Sequence, residues 1–190
     1  MLLQPASSPH HTINPDDAPP PPKQQHQLCI HILYATVGGQ TYEVVRRLEY
    51  YLRRNFPHST AIHVSPCSSK RSIEEAHHHR QCCCRSFASG DDSNVRKLVV
   101  IAVATHGEGT PAPMASVFWK FMTDDLMSRG EDDNNRISKD KLLYCVIGLG
   151  NSNYEKYNYA AKIAFRIYEK FDFEKFLPSV FLFDEVDPNG

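Results

Sequence analysis

The sequence predicts a doubly wound α/β domain, and three observations predict it. Strand-like and helix-like segments alternate from Leu28 onward. The strand-like segments are unbroken apolar runs, such as Leu98, Val99, Val100, Ile101, Ala102 and Val103. Continuous rather than alternating hydrophobicity suits strands buried on both faces. Three of these runs stop abruptly in short polar loops that carry glycine. Open α/β sheets bind ligands there, at the carboxyl ends of strands around the point where strand order reverses.

Composition narrows the possibilities. A chain of 190 residues has room for one domain with a full core. Residues 1–27 hold four consecutive prolines (19–22), scattered His and Gln, and little to bury. They read as a disordered tail, without the apolar centre of a signal peptide or the arginines of a transit peptide. The formal net charge is -1 and no basic stripe interleaves with aromatics, which argues against nucleic acid as a partner. No apolar run reaches the roughly 18 residues of a membrane span, so no membrane partner is expected and a cytoplasmic location is. The six cysteines do not form a secreted framework. Cys29 and Cys145 fall in buried-strand patterns, where the thiol behaves as a small hydrophobe.

The ordered domain is expected over 28–190. Leu28 to Tyr34 is the first strand, and Thr36 to Thr41 (TVGGQT) a tight loop with Thr41 as helix N-cap. Val44, Val45, Leu48 and Leu52 form the apolar face of that helix, with arginines 46, 47, 53 and 54 mostly off it. Pro57 closes the unit, and Thr60 to Val64 is a weak second strand. The stretch 66–96 reads as a low-complexity insertion with a short helix from Ser72 to about Cys82. Its His77-His78-His79 and Cys82-Cys83-Cys84 tracts lack the paired spacings of zinc sites, so no metal is expected. Leu98 to Val103 is the third strand. After it, Pro111 and Pro113 precede a helix with Met114, Val117, Phe118, Phe121 and Met122 on one face and Trp119 at its edge. Asp124, Asp125, Glu131, Asp132 and Asp133 read as a solvated acidic stretch. Leu142 to Ile147 is the fourth strand, and a helix from about Glu155 buries Tyr157, Ala161, Ala164, Tyr168 and Phe171. Leu177 to Phe183 is the fifth strand. The pattern expects a further helix after it, and the sequence ends seven residues past Phe183.

In a sheet ordered 2-1-3-4-5 the loops after strands one, three and four converge. TVGGQT offers two hydroxyls and backbone amides at a helix N-terminus, an anion nest without lysine or arginine. It is not a Walker loop. THGEG, Thr105 to Gly109, offers backbone groups and an imidazole. GLGNSNY, Gly148 to Tyr154, offers a glycine turn, polar side chains and an aromatic. Together they suit a flat, phosphorylated ring ligand.

At these residues the chain resembles the FMN-binding, flavodoxin-like domain of the NADPH-dependent diflavin reductases. THGEGTPAP followed by FWKF, then GLGNSNYEKYN, resemble that family's second and third flavin loops, and LPSVFLFDEVDPNG its fifth strand and acidic turn. Within the group the chain is most similar to the soluble reductases serving cytosolic iron–sulfur assembly. The resemblance covers Leu28 to Gly190, apart from the stretch between Ser65 and Lys97. It implies that Thr36, Val37, Gly38, Gly39, Gln40 and Thr41 hold the FMN phosphate. Ala104, Thr105, His106 and Gly107 would border the ring, with the Gly107 carbonyl placed to accept from ring nitrogen 5. Leu149, Gly150, Asn151, Ser152, Asn153, Tyr154, Glu155, Lys156, Tyr157 and Asn158 would wrap the other side, Tyr154 stacking on the ring. Asp184 and Glu185 match the acidic turn. No side chain is implied as an acid or base catalyst. FAD and NADPH are implied on a separate module, and a metalloprotein as electron acceptor, an iron–sulfur assembly factor or a cytochrome.

Two positions depart from the family pattern. Gly38 stands where its phosphate loop has a middle threonine, and His106 where many members set a tyrosine against the ring. One lost hydroxyl bond to a phosphate costs about 1.5–3 kcal/mol unless amides or water replace it. Two other readings remain: a flavodoxin domain serving a radical tRNA-modifying enzyme, and an interaction module that keeps the fold without flavin.

Overall fold

The computed structural model describes residues 28–56, 60–78, 96–125, 142–171, 173–184 and 186. A parallel sheet runs through the molecule in the order β2 (Thr60–Pro66), β1 (Leu28–Ala35), β3 (Arg96–His106), β5 (Leu142–Gly150). At the far edge β5 pairs with two short strands, β6 (Glu174–Lys175) and β7 (Phe181–Asp184). A two-residue strand, β4 (Thr110–Pro111), turns back antiparallel on the end of β3. This is the doubly wound order that the sequence predicts, with one difference. The fifth strand is split: after the Phe176 amide, which still donates to the Tyr144 carbonyl, the chain leaves the ladder until β7. Pro178 lies in that gap and has no N–H to give a ladder.

The apolar runs of β1 and β3 are continuous because each has helices to bury against on both faces, and β5 has helices on one face and shares the apolar cluster on the other. Ile30, Ile32, Leu98, Val100, Ala102, Leu143, Cys145 and Ile147 share that cluster with Val45, Leu48 and Leu52 of α1 (Gln40–Asn55). Leu33, Val99, Ile101, Val103, Tyr144 and Val146 face the opposite layer. That layer holds α2 (Lys70–His77), α3 (Ser116–Lys120) and α4 (Tyr159–Lys170). One turn of 3-10 helix at Pro113–Ala115 leads into α3, and a wider π-type turn at Phe121–Asp125 leaves it. Phe118, Phe121 and Met122 are buried as the helical stripe predicts, with Met114, Val117 and Trp119 packed beside them.

Several elements depart from the sequence expectation. Part of the stretch 66–96 belongs to the core: Cys67, Ile73, Ala76 and His77 are fully or almost fully buried. Helix α2 begins at Lys70 rather than Ser72, capped by the Ser69 hydroxyl on the Ser72 amide, and ends at His77. The fourth helix begins at Tyr159 rather than Glu155. Arg53 is not merely off the apolar face of α1. It grips buried Glu49 and donates to the Ile62 carbonyl, fastening α1 to β2. Pro57, residues 79–95, the acidic residues Glu131, Asp132 and Asp133, and Glu185 lie outside the described residues. No helix among the described residues is long and apolar enough to cross a membrane.

His77 is a core residue. Its Nδ1–H donates to the Ile73 carbonyl at 2.7 Å, so Nε2 accepts from the Tyr168 hydroxyl at 2.6 Å. Tyr168 in turn stacks on Tyr144 with ring centroids 4.8 Å apart. Burial pushes the His77 pKa down to about 3. The unfolded chain titrates near the ordinary value of about 6.5, so between those limits the unfolded state holds the extra proton. The stability supplied by neutral His77 is complete above about pH 6.5 and is lost as pH falls toward 3. The full slope is about 1.4 kcal/mol per pH unit. Denaturant unfolding should therefore weaken more steeply below about pH 6.5 in the parent than in the paired variant His77→Phe with Tyr168→Phe. That variant removes both partners of the bond, and parallel pH profiles in the two proteins would contradict the assignment.

Candidate functional site

The site is built where β1, β3 and β5 end. After Ala35, the Thr36 hydroxyl accepts from the Gly39 amide at 3.0 Å, and the Thr36 amide donates to the Met114 sulfur at 3.1 Å. Gly38 and Gly39 follow with φ of 72° and 91°, a pair of left-handed residues that other side chains adopt only with strain. They turn the chain so tightly that the helix starts early. Gly39, not Thr41, is the N-cap, and it supplies no side-chain cap. The first-turn amides of α1 thus have no intrahelical acceptor and face the loop. Thr41 sits inside that first turn. It is fully buried, and its Oγ1 has no hydrogen-bond partner among the described residues. A buried hydroxyl beside helix N-terminal amides suits a phosphate oxygen, which accepts from all of them.

The second loop is a small hairpin. Strand β3 runs on to His106, Gly107 and Gly109 turn with φ of 51° and 85°, and β4 pairs back onto Thr105 and His106. Thr110 Oγ1 bonds both the His106 carbonyl and His106 Nδ1, each at 3.0 Å. His106, Gly107 and Glu108 are exposed at the tip. Thr105 does not simply border the ligand side. Its hydroxyl accepts from the Ala160 amide at 3.1 Å and so caps α4 from another strand.

In the third loop, Gly148 and Gly150 belong to strand β5 rather than to a turn. Their purpose is close approach. A Cβ on Gly148 would stand 2.6 Å from the Ala161 Cβ and 2.8 Å from Asn158 Oδ1, and one on Gly150 2.9 Å from the same oxygen. Asn158, fully buried and left-handed at φ 52°, is the residue against which they pack. Its left-handed backbone ends the loop and delays the helix to Tyr159. Asn158 Nδ2 donates to the Phe183 carbonyl. Between these points Asn151 closes a tight turn through its carbonyl to the Tyr154 amide and its side chain to the Asn153 amide. Tyr154 rides on that turn and is 57% exposed.

The three loops are joined. Gly109 lies under the aliphatic chain of Lys156, where a Cβ would stand 2.6 Å from Lys156 Cδ. Asp184 Oδ1 accepts from the Ser152 and Val186 amides at 3.0 Å each. Hydrogen bonding from Ser152, then from Val186, holds the Asp184 carboxyl below the ordinary carboxylate range. So the structure brings together 36–41, 104–107, 149–158 and Asp184. Val37 is exposed, as are Gln40, Asn153 and Glu155, while Ala104 is buried at the strand end and Leu149 and Tyr157 are half-buried. Glu185 lies outside the described residues. Met114 and Thr110 were not among the expected site residues. Met114 reads as one more member of an apolar stripe, and Thr110 stands within THGEGTPAP without a role of its own.

These features define an open α/β domain of flavodoxin type. Over residues 32–189 the chain matches the flavodoxin family, and it belongs to that family. A stretch of 85 residues is 34% identical to NADPH–cytochrome P450 reductase of Dictyostelium discoideum, covering 45% of this chain and 12% of that protein. A stretch of 62 residues is 37% identical to the Aspergillus niger reductase of the same name, covering 33% and 9%. The matched region thus spans only about a tenth of these curated relatives' length. Among solved structures, oxidised flavodoxin 1 of Bacillus cereus superposes with a TM-score of 0.55 at 14% identity, covering 82% of this chain and 84% of that one. A point mutant of the Pseudomonas aeruginosa flavodoxin gives 0.53 at 19% identity, covering 85% and 86%. At these identities the likeness is one of fold.

The Thr105 cap is open to test. Thr105→Val keeps the shape and removes the acceptor for the Ala160 amide. It should lower stability by about 1 kcal/mol, read as a shift in denaturation midpoint, and speed amide exchange at Ala160. Unchanged exchange at Ala160 would contradict the cap.

Proposed function

We propose that this domain binds FMN and relays electrons singly, from an FAD- and NADPH-bearing module to a metalloprotein. The observation that carries the reading is the buried Thr41 hydroxyl, without a hydrogen-bond partner among the described residues, at the helix N-terminus below Gly38 and Gly39. Partial identity to NADPH–cytochrome P450 reductases supports an electron-transfer role and a reductase module as donor. The narrower reading, a cytosolic reductase domain whose acceptor is an iron–sulfur assembly protein, rests on the motif resemblance alone.

When bound, FMN supplies the redox chemistry, and the protein holds and tunes it. The residues divide that work. Thr36, held by Gly39, fixes the loop, while the α1 amides and Thr41 donate to the phosphate. The hairpin at His106 and Gly107 and the turn carrying Tyr154 would hold the ring. The exposed Gly107 carbonyl is the acceptor offered to a ring N–H. Asp184 serves by bracing the Ser152 turn.

Titration of the protein with FMN should quench flavin fluorescence, and FMN should be preferred to FAD. Thr41→Val should weaken FMN by roughly tenfold or more, the effect of losing one hydrogen bond to a charged group. Tyr154→Ala should weaken it with the fold intact, because base-like rings gain about 1 kcal/mol from stacking. Absence of quenching in the folded parent would refute the proposal. Adding an FAD/NADPH reductase module should then give NADPH-driven bleaching of the bound flavin, and a failure of that step alone would remove the proposed donor.

A further inference from the structure

A second set of chemistry-bearing side chains lies near the opposite end of the sheet. Cys29 and His31 stand two apart on β1, so they share one face. His63 on β2 is the direct register partner of His31. The ligand atoms of these three residues all lie within 4.8 Å of one another. Cys29 Sγ is 3.3 Å from His31 Nε2, and the two imidazoles stack with centroids 4.9 Å apart. A sulfur and a nitrogen bound to one tetrahedral zinc stand about 3.5 Å apart, given bond lengths of about 2.3 and 2.0–2.1 Å. The observed pair is already at that spacing. Cys29 and His31 are buried, and His63 is half-buried, which leaves an approach from its side.

We propose that Cys29, His31 and His63 bind a late first-row divalent cation of zinc type, with a fourth position left to water. One thiolate with two imidazoles suits zinc or its neighbours, not the hard cations that demand oxygen. Binding converts the Cys29 thiol to thiolate and releases one proton to solvent, the imidazoles remaining neutral. Lys97 is the register partner of Cys29 on the other side of β1, and its ammonium donates to the carbonyls of Glu75 and His78. The ion would bridge β1 to β2, which pairs with no other strand among the described residues. It stands about 20 Å along β1 from the phosphate loop, at about 3.3 Å per residue. This reverses the sequence expectation of no metal. His77 cannot join the site, since both its nitrogens are engaged in the core.

The test uses the full chain after chelation and dialysis, titrated with cobalt(II) chloride. The parent should take up a single equivalent, with a thiolate-to-cobalt charge-transfer band in the near ultraviolet that zinc chloride abolishes. Cys29→Ala should lose the band. His63→Gln should weaken cobalt by more than about tenfold, since even outer partners of metal ligands cost that much. Replacing Cys82, Cys83 and Cys84 together by serine should leave the band in place. Circular dichroism reports folding, and if Cys29→Ala does not fold, His63→Gln on the edge strand decides the matter. No charge-transfer band in the parent, a band that survives Cys29→Ala, unchanged affinity in His63→Gln, or loss of the band with the serine replacements would overturn the assignment.

Discussion

The ligand-facing end of the sheet depends on how closely the amino end of α4 approaches β5. Two glycines in the strand, Gly148 and Gly150, let Asn158 and Ala161 come within distances that no Cβ would allow. Asn158 reaches that position only by adopting a left-handed backbone, which asparagine tolerates better than most residues. From there the consequences spread. The Ala160 amide meets the Thr105 hydroxyl, which ties the helix to the end of β3. Lys156 closes over Gly109, which ties the third loop to the second. Asn158 also holds the Phe183 carbonyl, next to Asp184, whose carboxylate accepts from the turn that carries Tyr154. One close packing contact thus sets the relative position of two loops and the last strand.

The first loop is coupled to this assembly more lightly, through the Thr36 amide on the Met114 sulfur. A sulfur acceptor is weak, so the loop relies chiefly on its own geometry. Thr36 and the two left-handed glycines supply it. The design uses neutral donors throughout: amides at a helix N-terminus and a buried hydroxyl, with no cation in the loop. Neutral, preorganised donors need no charged partner in the empty state. A buried lysine or arginine would have to be paired or pay a desolvation cost of several kcal/mol.

Much of the fold was legible because its signals are strong. Runs such as Leu98 to Val103 admit little but a strand buried on both faces, and the stripe from Met114 to Met122 little but a helix. The site loops were legible as glycine-bearing interruptions of those runs. What was not legible were contacts between distant segments. His77 reads as part of a solvated histidine tract, yet it lies in the core because Tyr168, 91 residues away, satisfies its second nitrogen. Thr105 reads as a ligand-side hydroxyl, yet a helix 55 residues on takes its oxygen. Gly148 and Gly150 read as a turn because glycine signals either freedom or absence of bulk, and sequence does not say which. Likewise Cys29, His31 and His63 carry no local metal spacing; only strand register brings them together.

The two departures from the flavin-loop pattern fall where the local structure can absorb them. Gly38 carries no side chain into a turn that requires φ of 72°, which a threonine would adopt only with strain. The hydroxyl it lacks is exchanged for an unstrained turn, and under the FMN proposal the phosphate would depend on Thr41 and the helix amides. His106 sits in a hairpin closed by Thr110, which grips both its carbonyl and its ring. The imidazole is held at the hairpin tip by its own loop. Side chains ordered before binding lose less freedom on binding, so a smaller aromatic fixed in place can stand in for a larger one that packs only against the ring. Under the FMN proposal, both substitutions would shift interactions from side-chain contact with the ligand to preorganisation of the loops around it.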